Sequence, residues 1–270
     1  MDLAIITLSH ETALLAERIA QGLAEDQLTL FLPTGKYELM TTRPGYIHLS
    51  IEPFAARLRD LIRDIFLCYK GFIFIMPLGI VIRVIAPYLQ DKYRDPAIVV
   101  IDPGGRYAIS ALSGHEGGAN DLAYKVANAI HAEPIITSAR EAQKDLIVGI
   151  GCCKGVSSQQ IKEAVREALS TVGRDIKDVR LLATAELKAQ EKGLIEAAAE
   201  LAIPLHIISD KEIEGCVKNY NRSDWVKGKI GIEGVCEPSA LLAGRKTRLI
   251  LPKKTYQKIA LAIAQEYFTW

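Results

Sequence analysis

The chain has 270 residues, 49% of them hydrophobic, and a formal net charge of +1. That length suits one large or two small domains, with enough apolar residues for a core that needs no cross-links. The near-zero charge excludes a general nucleic-acid binder, and no uninterrupted apolar run approaches the ~18 residues of a membrane span.

Residues 2–8 form an apolar run expected to be a buried strand. With no basic flank, this N-terminus does not read as a signal peptide. Glu11 to Leu23 carries Leu14, Leu15, Ile19 and Leu23 at helical spacing. Leu28–Leu32 is strand-like, and residues 33–50 are rich in turn formers. A helix is predicted over Ala55–Phe66, a strand over Gly71–Met76, and a helix over Ile80–Leu89 whose end Pro87 bends. Ile98–Ile101 and Tyr107–Leu112 read as strands joined by the turn Asp102-Pro103-Gly104-Gly105-Arg106. A helix follows Asn120, then a short strand at Pro134–Ile136.

The polar run 137–145 divides the chain into an N-terminal unit, 1–140, and a C-terminal unit, 145–270. Leu146–Ile150 opens the second unit as a strand. Ser157 with Gln160, and Ser209 with Glu212, are capping-box patterns that start helices. Val179–Ala183, Leu205–Ile208 and Leu249–Leu251 read as strands. Leu187–Ala199, Asp210–Val217, Pro238–Leu242 and Tyr256–Tyr267 read as helices. Alternating strands and helices predict two α/β units with mostly parallel sheets and a cleft between or beside them.

The stretch Ser113-Gly114-His115-Glu116-Gly117-Gly118-Ala119-Asn120-Asp121 lies where a strand ends and a helix begins. Glycines let backbone approach a ligand. The helix N-terminus favours an anion or a developing oxyanion, and an imidazole moves protons near neutral pH. This suits chemistry on a carbonyl or recognition of a carboxylate. His115 is the candidate base, with Ser113, Glu116, Asn120 and Asp121 around it. Ser113 lacks the flanking pattern of a nucleophile elbow, so water is the preferred nucleophile. Gly104, Gly105, Arg106, Gly114, Gly117 and Gly118 are candidate substrate contacts.

Gly149-x-Gly151-x-x-x-Gly155 fails the dinucleotide spacing, because Lys154 stands where the third glycine belongs. It reads either as a close-approach loop holding a carboxylate or as a tight structural turn. Cys152 beside a helix start is either an acidified thiol or small apolar filler. The five cysteines, Cys68, Cys152, Cys153, Cys216 and Cys236, have no metal-site spacing and read as reduced thiols of a cytoplasmic protein. Arg83, Lys92, Arg94, Arg106 and Lys154 are candidate carboxylate anchors, whereas Lys188 and Lys192 are expected on a solvated helix.

Three ordered blocks resemble the CbiG family of cobalamin biosynthesis, cobalt-precorrin-5A hydrolase. The first runs from Phe74-Ile75-Met76 through Gly79-Ile80, Arg83, Ile85-Ala86-Pro87 and Asp91-Lys92 to Asp95–Val100. The second is Leu112–His115 with Gly117–Asn120 and Leu122-Ala123. The third is Val148-Gly149-Ile150-Gly151-Cys152 with Gly155 and Ser157. Weaker likeness continues to Glu237–Ala243. The resemblance implies a cobalt-bearing, polycarboxylated corrin substrate whose ring A lactone is opened with release of acetaldehyde. It implies that cobalt arrives with the substrate, so no protein metal site or cofactor is required. It leaves room for a homodimer or transient contact with neighbouring pathway enzymes. Longer members of the family carry a middle segment where this chain has only 137–145. Two other readings stay open: a non-catalytic corrinoid carrier or scaffold, and a hydrolase unrelated to corrins.

Overall fold

A computed structural model describes residues 1–34, 48–221 and 234–267. The chain forms two compact units, Met1–Thr137 and Ser138–Trp270.

The first unit is a seven-stranded sheet. Its strands are β1 (Asp2–Thr7), β2 (Gln27–Pro33), β3 (Leu49–Phe54), β4 (Gly71–Ile75), β5 (Ala97–Ile101), β6 (Tyr107–Leu112) and β7 (Glu133–Ile135), in the order β3-β2-β1-β4-β5-β6-β7. Every neighbouring pair is parallel except β5–β6. Strands β1, β4 and β5 are buried on both faces, which is why they read as continuous apolar runs rather than alternating ones. One face packs Leu3, Ile5, Ile73 and Val99 against α1 (His10–Gly22) and α4 (Ala119–Ile130). The other packs Ile6, Phe72, Phe74 and Val100 against α2 (Leu58–Ile65) and α3 (Leu78–Ile85). After α3, a 3-10 turn at Ala86–Tyr88 carries the bend expected at Pro87.

The edge strand β3 begins at the end of the stretch where the sequence suggested turns and stops just before the expected helix start at Ala55. Leu49, Ile51 and Pro53 alternate with polar Ser50 and Glu52, and Pro53 is tolerated because, among the described residues, β3 has a neighbour on one side only. Most of the turn-rich stretch before it, residues 35–47, lies outside the described residues.

The second unit is a five-stranded sheet of β8 (Leu146–Cys152), β9 (Val179–Ala185), β10 (Leu205–Ile208), β11 (Thr247–Tyr256) and β12 (Ile259–Glu266), ordered β10-β9-β8-β12-β11. Its helices are α5 (Ser158–Thr171), α6 (Lys192–Glu200), α7 (Asp210–Glu214) and α8 (Cys236–Leu242). Strands β8, β9 and β10 are parallel. Strand β12 enters antiparallel to both β8 and β11. The helix expected over Tyr256–Tyr267 is therefore a strand. Its run is buried between two neighbours and apolar on both faces, so no alternation of apolar with polar residues marks it. Both capping boxes form, at Ser157 with Gln160 and at Ser209 with Glu212.

Candidate active site

Strand β6 ends in a turn held together by its own backbone. The Ser113 carbonyl accepts the N–H groups of Gly117 (3.1 Å) and Ala119 (3.2 Å), and the Gly114 carbonyl accepts that of Asn120 (2.9 Å). These bonds satisfy the first donors of α4, whose entry residue Gly118 has φ +85° and provides no capping side chain. The Asn120 amide oxygen accepts the Ser110 hydroxyl at 2.8 Å. A side chain on Gly114 would stand 2.7 Å from that same amide oxygen, and one on Gly117 would stand 2.5 Å from the Ser113 Cβ. Gly114 and Gly117 are therefore required by the compactness of the turn, and Gly118 by its positive φ.

Ser113 itself has φ +55°, a conformation that costs a non-glycine residue about 1–2 kcal/mol. Its hydroxyl is buried and makes no hydrogen bond among the described residues. His115, Glu116 and Asp121 are exposed on the outside of the turn, and Asp121 in the first turn of α4 complements the helix dipole. Glu116 is held by Lys92 from the loop before β5, at 2.5 Å. The hydrogen bond from Lys92, followed by that from its own backbone N–H and the charge of His115, keeps the Glu116 carboxyl below the usual range.

The other hairpin end is a different kind of turn. The Asp102 carboxylate accepts the N–H groups of Gly104 (3.2 Å), Arg106 (2.7 Å) and Tyr107 (2.8 Å), and the Arg106 guanidinium at 2.9 Å. Burial pushes the Asp102 carboxyl up, but these hydrogen bonds outweigh it and the group sits below its ordinary value. Because β6 runs antiparallel to β5, residues 102–106 and 113–121 lie at opposite edges of the sheet. The six residues of β6 separate them by about 20 Å. Gly104, Gly105 and Arg106 are thus not brought beside His115.

In the second unit, Gly149 and Gly151 let α8 approach β8. A side chain at Gly149 would lie 1.8 Å from the Cys236 carbonyl oxygen, and one at Gly151 would lie 3.2 Å from Val235. Helix packing fills the space that a ligand-approach loop would need to leave open at Gly151. Burial pushes the Cys152 thiol up to about 11, so it is not the acidified thiol that one reading allowed. Lys154 is exposed and makes no ion pair or hydrogen bond among the described residues.

Two family models match the chain. One, described as Cobalamin synthesis G N-terminal, covers residues 60–141, and the other, Cobalamin synthesis G C-terminus, covers residues 146–264. The chain belongs to the CbiG family. It is 28% identical to a cobalt-precorrin-5A hydrolase of Priestia megaterium, over 80% of this chain and 83% of that protein. That alignment runs over 313 positions, so the relative carries residues with no counterpart in these 270. A cobalt-precorrin-5A hydrolase of Salmonella typhimurium is 45% identical over 92 residues, 34% of this chain and 26% of that one. Among solved structures, a putative cobalamin biosynthesis protein G homologue from Sulfolobus solfataricus is 20% identical, covering 98% of this chain and 97% of that one, with a TM-score of 0.37.

Within this CbiG chain the expected anchors divide into two groups. Lys92, Arg94 and Arg106 already face Glu116, Asp91 and Asp102. Among the described residues, Arg83 contacts only the Gly79 carbonyl of its own helix, at 2.9 Å, and Lys154 has no partner. Lys188 corrects the sequence reading, because its side chain is largely buried in an ion pair with Glu191 (3.2 Å) at a 3-10 turn. Lys192 is exposed on α6, as expected. The link between Lys92 and Glu116 was hidden in the sequence, since the two lie in separate loops that only the β5–β6 pairing brings to one edge. Among the described residues no group of three or more His, Cys, Asp or Glu is placed to hold a metal ion.

Proposed function

We propose that this chain is a hydrolase of cobalt-precorrin-5A in cobalamin biosynthesis. The observation that carries the reading is the match of a relative with that name over four-fifths of the chain, joined to an exposed histidine on a tight strand-to-helix turn. In this reading His115 takes the proton of a water that attacks the lactone carbonyl. The lactone ring oxygen leaves as an alkoxide on the carbon bearing the methyl group. Collapse of that alkoxide releases acetaldehyde, and the electron pair of the broken carbon–carbon bond is taken up by the macrocycle with a proton.

The turn narrows the choice of oxyanion donors. The N–H groups of Gly117, Ala119 and Asn120 are already committed to carbonyls of the turn. Of the N–H groups at the start of α4, that leaves the one of Gly118 to suit a developing oxyanion, while the Ser113 hydroxyl is closed off inside the turn. Glu116, held by Lys92, is the carboxylate next to His115 in the turn. Cobalt enters with the substrate, and the reading requires no resident cofactor.

Anaerobic incubation with cobalt-precorrin-5A tests the proposal. Acetaldehyde release with conversion of the corrinoid is expected. Binding followed by recovery of unchanged substrate would instead make the protein a carrier.

A further inference from the structure

Strand β6 carries one residue more than its partner. Ile98 of β5 pairs with Leu112 and Val99 with Ser110, so Ala111 is a bulge that stands opposite no residue of β5. The extra residue reverses the alternation of the strand. Ala108 belongs to the core on the α1–α4 side, and Ile109 packs on the core of the α2–α3 side. Strict alternation would return Leu112 to the side of Ala108. Leu112 instead packs with Ile109 on the α2–α3 side. The chain therefore enters the turn at Ser113 on the side where α4 lies, and bulges beside functional segments commonly re-aim the chain in this way.

The end of β6 is also thinly held. Strand β7 pairs with Tyr107, Ala108 and Ile109, so among the described residues 110–112 have β5 as their one strand neighbour, and the bulge interrupts that ladder. The bond that crosses from strand to helix runs from the Ser110 hydroxyl to the Asn120 amide oxygen, at 2.8 Å. Ser110 is the last residue before the bulge, and buried Asn120 is the second residue of α4. The Asn120 N–H donates to the Gly114 carbonyl at 2.9 Å. That carbonyl is part of the peptide joining Gly114 to His115. Contacts thus run unbroken from Ser110 through Asn120 to the peptide that carries the imidazole.

We infer that Ser110 is a positioning residue for the hydrolysis: through Asn120 it fixes the direction in which the turn presents His115. The inference rests on the hydrolase reading for what His115 does. Ser110 reaches no reacting atom in this scheme. Its hydroxyl gives the strand end the hold that the interrupted ladder lacks. Such a hold matters to rate, since a placement error of about 1 Å can cost on the order of 100-fold.

The test compares wild type with Ser110→Ala, which fits the half-buried place, and with Ser110→Thr, which keeps a hydroxyl on a residue that suits strands. Circular dichroism and urea unfolding check each fold. Acetaldehyde release from cobalt-precorrin-5A gives kcat and KM, and proton NMR of the His115 ring reports its surroundings without substrate. Ser110→Ala should lower kcat at least about tenfold with KM within about twofold, because a misplaced base weakens the transition state more than the ground state. It should also shift the His115 ring resonances, and Ser110→Thr should restore both. In a His115→Ala background, Ser110→Ala should lower the residual turnover by less than about twofold, since a residue acting through His115 then has nothing to position. A folded Ser110→Ala with wild-type kcat and unmoved His115 resonances would overturn the inference. So would a rise in KM at unchanged kcat, or an undiminished loss in the His115→Ala background, which would make Ser110 part of the scaffold alone. Wild type that releases no acetaldehyde would remove the hydrolase reading instead. The ring resonances would then decide whether Ser110 holds His115: a shift reversed by Ser110→Thr supports the hold, and unmoved resonances overturn it.

Discussion

The Lys92 ammonium lies 2.5 Å from the Glu116 carboxylate and ties the loop before β5 to the turn after β6. Twenty-four positions apart in sequence, the two meet because the intervening hairpin returns the chain to the same sheet edge. Their contact sets the charge beside His115.

The lowered pKa of Glu116 fixes the sign of a pH effect. A carboxyl whose folded pKa is depressed contributes above its unfolded value and loses that contribution as pH falls through the folded one. Glu116 should therefore stay ionised through the ordinary glutamate range and protonate only below it. Lys92→Met should move its titration up toward that range. Side-chain carbon NMR of Glu116 in the two proteins checks this, and identical titrations would show that the pair is absent in solution.

His115→Ala should cut acetaldehyde release at least about 100-fold, the low end for a general acid–base, while corrinoid binding persists. Near-wild-type turnover would remove His115 from the reaction, and parallel loss of binding and turnover would make it a binding residue.

Gly114→Ala should destabilise the first unit by about 1–3 kcal/mol, the usual cost of overpacking. The clash has a named partner, because the new Cβ would meet the Asn120 amide oxygen. Adding Asn120→Ser should recover much of the loss in urea unfolding. No recovery would place the strain elsewhere.

Glu237 should be a structural carboxylate of the second unit. It is 2% exposed and accepts three donors: the Asn221 N–H (2.6 Å), the Asn221 side-chain amide (3.0 Å) and the Lys253 N–H (2.7 Å). Glu237→Ala leaves these without their acceptor and should cost about 1–3 kcal/mol. Unchanged stability would mean that water replaces the carboxylate freely.

Cysteine reactivity should follow burial. Exposed Cys68 and Cys153 should react with iodoacetamide at pH 8 in the folded protein, while Cys152 and Cys236, pushed up to about 11 and about 12, should resist. Raised thiol pKa values favour the fold below the unfolded thiol pKa, and that contribution disappears as pH climbs toward the folded values. Mass spectrometry of the labelled protein checks the order, and early labelling of Cys152 would contradict it.

Much of this was legible in the sequence, for physical reasons. The helix starts at Ser157 and Ser209 are set by local hydrogen bonds that a four-residue pattern reports. Strands buried on both faces, such as β4 and β5, stand out as short apolar runs. The same reasoning misassigned β12, because Ile-Ala-Leu-Ala-Ile-Ala has an apolar content and propensity that helices share. Its state is decided by β8 and β11, which are distant in sequence. The site was legible as a segment. What escaped was the edge on which each segment lies, because the antiparallel β5–β6 pair sends Arg106 and His115 to opposite ends of one strand.

The place of β12 bears on how the chain is made. Residues 146–152 emerge from the ribosome long before residues 259–266, which pair with them. Until then β8 has β9 on one side and a bare edge on the other, and bare edges recruit other strands. The second unit must thus wait for nearly its last described residues before its sheet closes. Nascent chains stalled before residue 259 should show a protease-sensitive, chaperone-bound second unit beside an already folded first one.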